Sequence, residues 1–216
     1  MKTKLMSFAV AAVMAVVSLT GCSNGIKKKT VTAAKEYGMT EQDDFLTAYG
    51  YSNQGNSVFY VSKDAEEAEN MRKQISTKGS PSVDYNIKEA IWCTENKIDM
   101  TNVDPGLSVR PEMRTSVLVM TTKDAESARD LYSLNNQWIL QNGGTNGNRD
   151  GVEYSIYYTT YTSENSSEKV EGYIGVYLTG NTVICLDAFT NVDNIDACTQ
   201  YFCKEFGLVS PLALRK

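Results

Sequence analysis

Two stretches of this chain repeat one pattern of apolar and polar positions. "SVFYVSKDAEEAENM" begins at Ser57 and "SVLVMTTKDAESARDL" at Ser116, and both contain Lys-Asp-Ala-Glu-x-Ala, at Lys63–Ala68 and Lys123–Ala128. The opening Val, Phe, Tyr and Leu residues suit a pleated strand. Apolar positions then move to helical spacing: Ala65, Ala68, Met71 and Ile75 mark one helix face, Ala125, Ala128, Leu131 and Trp138 another. The pattern predicts strand–helix units over residues 57–77 and 116–140. The second copy carries one more residue before its lysine. A turn absorbs that residue, whereas a strand would have its faces exchanged. Asp64, Glu66 and Glu67 crowd the first predicted helix start, and Asp124 and Glu126 the second. Negative charge there favours the helix dipole, so these acids are explained without a catalytic role.

"NIKEAIWC" predicts a strand at Ile87–Cys93, and "VEYSIYYTTY" another at Val152–Tyr161. With the two repeat units, the order is strand, helix, strand, strand, helix, strand. That order resembles the ferredoxin-like β-α-β-β-α-β arrangement, which implies two helices over one face of an antiparallel sheet. "GYIGVYLTGNTVICLDAF" adds a hairpin about Gly180-Asn181, a two-residue loop with glycine first, as a type II′ turn prefers. That register sets Val176 opposite Cys185 and Tyr177 opposite Ile184. A last helix, with Thr190 as cap and Asp193 as its third residue, carries Ile195, Cys198, Phe202 and Phe206 inward until Gly207 and Pro211 stop it. A short first helix runs from Thr30 as cap to Gly38. The expected fold class is α+β: an antiparallel sheet with helices packed on one face, a ferredoxin-like core plus a C-terminal hairpin and helix. Residues 30–216 form a single domain.

The amino terminus reads differently. Lys2 and Lys4 precede an apolar run, Met6–Leu19, too short and too diluted by Thr20, Gly21, Ser23 and Asn24 to span a bilayer. This is the pattern of a secretory signal peptide over residues 1–21. Leu19-Thr20-Gly21-Cys22 resembles the bacterial lipobox. The resemblance implies cleavage between Gly21 and Cys22, and a diacylglyceryl group on the Cys22 thiol. Two acyl chains give stable attachment where one does not. Residues 22–29 would then form a lipidated tether reaching roughly 30 Å when extended, its Lys27-Lys28-Lys29 close to the headgroups. The tail "GNTVICLDAF…EFGL" is similar to the closing strand and helix of small exported lipoproteins of unknown function from Gram-positive bacteria. That likeness implies the outer leaflet of the cytoplasmic membrane; in a Gram-negative cell, Ser23 would suit the outer membrane instead.

Charge narrows the partners. The full chain has 21 basic and 26 acidic residues, and without Lys2 and Lys4 the mature part has 19 and 26, a net charge of −7. Nucleic acid, which asks for a concentrated basic surface, is not an expected partner. Histidine is absent, which excludes Ser-His-Asp and Cys-His catalysis and histidine zinc sites. No cofactor or metal is implied. Cys93, Cys185, Cys198 and Cys203 could form disulfides in an exported chain or remain buried thiols. Cys198 and Cys203 are poor partners for one another. On one helix they lie about 140° apart with Cα atoms roughly 8–9 Å apart, and a bridge needs less than about 7 Å.

Three stretches invite chemistry. Asn146–Gly151, "NGNRDG", begins like a calcium loop, but the twelfth position, where a glutamate should close the shell, is Tyr157; a helix–strand turn explains it better. "RPEMR", Arg110–Arg114, reads as a solvated loop rather than an anion site. Tyr154, Tyr158, Tyr173 and Tyr177 fall on predicted strands and could line an aromatic face for a glycan or peptide. The expected function is a non-catalytic binding or interaction module of the cell envelope, held to the bilayer by acylated Cys22, its partner a peptide, a glycan or an envelope protein. The alternatives are a histidine-independent hydrolase and a purely structural envelope component.

Overall fold

The computed structural model describes residues 23–52, 56–75, 83–97, 113–162, 169–191 and 197–215. In chain order its elements are α1 (Ser23–Tyr37), β1 (Thr40–Glu41), α2 (Phe45–Ser52), β2 (Ser57–Val61), α3 (Ala65–Ile75), β3 (Ile87–Lys97), β4 (Met113–Thr122), α4 (Ala125–Gln141), β5 (Thr145–Arg149), β6 (Val152–Thr162), β7 (Lys169–Thr179), β8 (Thr182–Asn191), α5 (Ala197–Phe206) and α6 (Pro211–Leu214). The class is the expected α+β. Eight strands form one sheet in the order β1-β2-β3-β4-β8-β7-β6-β5. Neighbours are antiparallel except β1, whose two residues run parallel to β2.

Helices cover both faces of this sheet. The repeat helices α3 and α4 lie together on one face with α2, over Tyr60, Trp92, Leu118, Met120, Val176 and Cys185. On the other face α1 and α5 pack over Phe59, Cys93, Val117, Val119, Ile184 and Leu186. The second layer has a plain cause in β4. Val117, Leu118, Val119 and Met120 are all buried, so both faces of the strand need cover. The strand order also departs from the ferredoxin-like arrangement. A split βαβ unit leaves room for a strand between the two that its helix joins, whereas β2 and β3, joined through α3, are direct antiparallel neighbours.

The internal repeat is real in three dimensions. Asp64 and Asp124 each cap their helix, accepting the N–H of Glu67 at 2.9 Å and of Ser127 at 2.8 Å. Counted back from the two lysines, Tyr60 and Met120 share one face and Phe59 and Val119 the other. The extra residue of the second copy therefore does not sit in the turn: β4 simply begins earlier. The Gly180-Asn181 hairpin has the expected register, with Val176 opposite Cys185 and Tyr177 opposite Ile184, and Gly180 takes φ +57°.

Three boundaries move. Residues 23–29, expected as a tether, are the first turns of α1. Ile26 is buried there, the Thr30 hydroxyl donates to its carbonyl at 2.8 Å, and Lys27 pairs with Glu89 on β3 at 2.5 Å. Lys29 lies over the Phe206 ring, so Lys28 alone of the three lysines is exposed. Thr190 continues β8 rather than capping a helix, because the strands on both sides reach it and pair with it, through Met113 on β4 and Glu171 on β7. Asp193 and Ile195 lie outside the described residues. The "NGNRDG" stretch pairs with β6 as β5, closed at Asp150 and Gly151 with φ of 53° and 82°.

Candidate functional site

The four tyrosines proposed as an aromatic face do share one. Tyr154 pairs with Tyr177 and Tyr158 with Tyr173 across β6 and β7. That face is not open, however. The Tyr177 hydroxyl donates to the Val209 carbonyl at 2.7 Å, Tyr158 donates to the Pro211 carbonyl, and Tyr173 meets the Thr199 hydroxyl. The segment after α5 thus lies across the tyrosines. Tyr173 and Tyr177 are buried, and burial raises the Tyr177 hydroxyl pKa above its ordinary value. A tyrosine offers a large apolar ring and one polar tip; here the tips of Tyr158, Tyr173 and Tyr177 find partners within the fold and the half-buried Tyr154 ring packs against Tyr177, so this face is part of the structure's own packing.

The cysteines are structural too. Cys93, Cys185, Cys198 and Cys203 are all buried. Cys185 faces the α4 side of the sheet, and the other three the α5 side. Burial pushes the Cys93 thiol well up; burial and the nearby Asp187 carboxyl push Cys185 up to about 12. Thiols held that far from ionisation are poor nucleophiles. Gly21, Cys22, Arg110, Pro111 and Glu112 lie outside the described residues, and Arg114, expected in a solvated loop, is half-buried on β4.

What the fold does assemble lies on the opposite face. One row across the sheet there reads Val58, Thr94, Ser116, Asp187, Ile174, Tyr157. Asp187 stands on β8 between Ser116 and Ile174. The residue as a whole is half-buried, but its Oδ1 is fully enclosed and has no hydrogen-bond partner. Burial raises its pKa from 3.8 to about 6, partly offset by Arg114. Arg114 lies one pleat further along β4, opposite Phe189 and on the same face. The neighbouring polar groups are already committed: Ser116 Oγ accepts from the Trp92 indole N–H at 2.8 Å, and the Thr94 hydroxyl donates to the Thr115 carbonyl at 2.8 Å.

Aromatic pairs flank this floor. On the α2 side Tyr49 stacks on Trp92 with ring centroids 5.9 Å apart; on the α4 side Trp138 meets Tyr157 edge-on at 5.5 Å. From β3 to β6 is four strand spacings, about 19 Å. The result is a strip of sheet with an aromatic pair at each edge and one enclosed carboxyl between them. The sequence did carry a signal for it: Asp187 is the lone charge within "VICLDAF", two residues from Cys185 and therefore on the same inward face.

A cleft of about 540 Å³ lies beside α3, lined among others by Glu69, Lys73, Asp84, Lys88 and Lys123. Glu69 is buried there, and its Oε1 takes both contacts from the fully buried Arg72, at 2.7 Å from Nε and 2.5 Å from Nη2. The Arg72 guanidinium also bonds the Val83 carbonyl at 3.1 Å and lies 4.9 Å from the Tyr85 ring centroid. That pair ties the segment before β3 to α3, so its first role is to hold the fold. Among the described residues no three or more His, Cys, Asp or Glu side chains gather as metal ligands.

No family model matches this chain, and no curated protein matches it. Among solved structures it is similar to the extracellular domain of PknH from Mycobacterium tuberculosis, with 12% sequence identity and a TM-score of 0.39, over 74% of this chain and 89% of that one. That likeness is too distant to inform function.

Proposed function

We propose that this chain is a lipid-anchored recognition module on the extracytoplasmic side of a membrane. Acylated Cys22 ties it down, and the strip of sheet around Ser116, Asp187 and Ile174 takes a peptide or glycan without breaking its bonds. One observation carries the recognition half: Asp187 keeps an enclosed acceptor unmet in the middle of the sheet. Burying a polar atom without a partner costs free energy. Residues that lower stability persist where function needs them. An N–H or O–H from a ligand would complete that oxygen, while the aromatic pairs would contact apolar and ring faces. Binding rather than hydrolysis is supported by the company Asp187 keeps. Its charged neighbour on the floor is Arg114, whereas carboxylate-pair hydrolysis sets a second acid roughly 5–10 Å away.

The chain has two tryptophans, and Trp92 and Trp138 belong to the aromatic pairs at the two edges of that strip, so intrinsic fluorescence reports on it. Titration of the lipid-free domain with a panel of envelope oligosaccharides and short peptides is expected to give a binder that shifts emission. Asp187→Asn should weaken that binder about tenfold or more. A binder indifferent to the substitution, or one that is consumed, overturns the reading. The anchor is tested by intact mass of protein from its native host: an unmodified amino terminus would remove it, and Cys22→Ala should release the domain into the medium.

A further inference from the structure

Helix α1 starts at Ser23, so one peptide unit separates the lipid carrier from a docked helix. The direction of that helix is fixed by its partners. Lys27, in its second turn, pairs with Glu89 near the start of β3, and the Tyr37 hydroxyl at its far end donates to Glu95 at 2.8 Å. Helix α1 therefore runs alongside β3 in the same direction. Its first residue lies at the end of the sheet where β3 begins. That end carries the short connections: Ser62–Asp64, Asn86, Lys123–Asp124, Asp150–Gly151 and Gly180–Asn181. Consecutive Cα atoms are about 3.8 Å apart, so Cys22 cannot leave this end.

We infer that the short-connection end of the sheet rests on the bilayer surface, and that the Asp187 row stands above it. This rests on the acylation of Cys22 proposed above. Strand β3 has 11 residues, roughly 36 Å of extended chain, and Thr94 stands near its far end. Asp187 is five residues from the Thr182 end of β8, so the recognition floor stands roughly 15–25 Å above the near end of the sheet. With no flexible spacer after the lipid, that height is fixed by the fold rather than sampled by a linker.

The charges agree with the orientation. Lys28, Lys63, Lys88 and Lys123 are all exposed at the near end. Exposed Glu66, Asp84 and Asp150, and the capping carboxylates of Asp64 and Asp124, share that end, so it is mixed in sign rather than basic. The far end is mixed too among the described residues, with Lys35 and Arg215 beside Glu41 and Glu171. The connections leaving it, residues 98–112, 163–168 and 192–196, lie outside the described residues but carry seven acids against one arginine in sequence. A chain of this charge beside an anionic leaflet gains by turning that end outward, within the roughly 10 Å range that salt allows.

The test uses the acylated chain in vesicles of phosphatidylcholine and phosphatidylglycerol that carry a nitroxide on some headgroups. Lys123→Cys at the near end and Thr160→Cys at the far end are each labelled with an environment-sensitive fluorophore. Cys93, Cys185, Cys198 and Cys203 are buried, so the new thiols react first. The label at 123 should be quenched several-fold more than the label at 160. Equal quenching, or the reverse order, overturns the orientation. Lys88→Cys gives a second near-end position should Lys123→Cys disturb the α4 start. Flotation of the vesicles is read separately: protein that does not float shows that Cys22 does not anchor, and the inference falls together with the reading beneath it.

Discussion

The two faces of the sheet treat buried polar groups in opposite ways. On the face of α1 and α5, three tyrosine rings reach into the core and every tip finds a partner, at Val209, Pro211 and Thr199. Ser210, on the covering segment itself, holds the enclosed oxygen left unmet there among the described residues. On the face of α2, α3 and α4, enclosed carboxylate oxygens of Asp187 and Glu69 have no partner. A met group adds a little stability and an unmet one removes more. The first face is therefore built to hold the molecule shut. The second tolerates a loss, and a loss between two aromatic pairs has a use when something arrives to meet it. Polar residues in a core are read better by whether they are satisfied than by how many they are.

The sharpest way to break this contrast is to remove the carboxyl. The folded state raises the Asp187 pKa to about 6, above the ordinary 3.8, because burial disfavours the charged form. The proton is thus held more tightly in the folded chain than in the unfolded one. Stability from this group is intact below about pH 4 and is lost as pH rises through 4 to 6. The shift corresponds to about 3 kcal/mol at most. Denaturant unfolding of wild type and Asp187→Asn at a series of pH values should show the variant gaining on wild type by about 2–3 kcal/mol between pH 4 and pH 8. The difference between the two pH values is the quantity to read, since any fixed cost of the amide cancels in it. A flat difference would mean that Asp187 is not strained and that the two faces are alike.

On the sealed face the sign reverses. Tyr177 is fully buried and its hydroxyl donates to Val209. Tyr177→Phe strips that bond and leaves an enclosed carbonyl unmet, so it should cost about 1–2 kcal/mol. Its effect should not vary between pH 4 and pH 8, because burial pushes the hydroxyl pKa upward, away from that range. Thermal unfolding at the two pH values checks both statements. A stabilised Tyr177→Phe variant would show that the covering segment is not held by the tyrosine tips.

How much of this could be read from the chain follows from the range of each interaction. The repeat units and the Gly180-Asn181 register are local patterns, settled within about ten residues, and they appear as the sequence predicts. Both repeat helices do lie on one face, but α1 and α5 add a second layer. The run Val117–Met120 carried that information, since a strand apolar on both sides needs two covers. The early start of α1 was masked by its lysines. They look like a soluble spacer until Glu89 and Phe206, 62 residues and more away, give two of them partners. The tyrosine face failed as a binding site for the same reason: its cover comes from Val209 and Pro211, which lie over 30 residues beyond it in sequence. Asp187 was legible in type, as a lone acid in an apolar strand, but that Oδ1 lacks a partner depends on three strands at once.

The finest test grades the sealed face against solvent. Tyr158 is half-buried, and its hydroxyl donates to Pro211 next to the ion pair of Arg215 with Glu171. Burial raises its pKa and the Arg215 charge pulls it back. Water can replace a hydroxyl at a half-open site, so Tyr158→Phe should cost no more than about 0.5 kcal/mol, less than Tyr177→Phe. The exposed Arg215 pair contributes about as little, and high salt should weaken it. If the segment is held by satisfied tips, the two Tyr→Phe costs must follow depth, with the buried position the larger, when both are measured by denaturant unfolding in one buffer. Equal costs would mean that the rings, not the hydroxyls, hold the segment down. The sealed face would then owe its closure to apolar contact alone, and the contrast with the unmet Asp187 would lose its meaning.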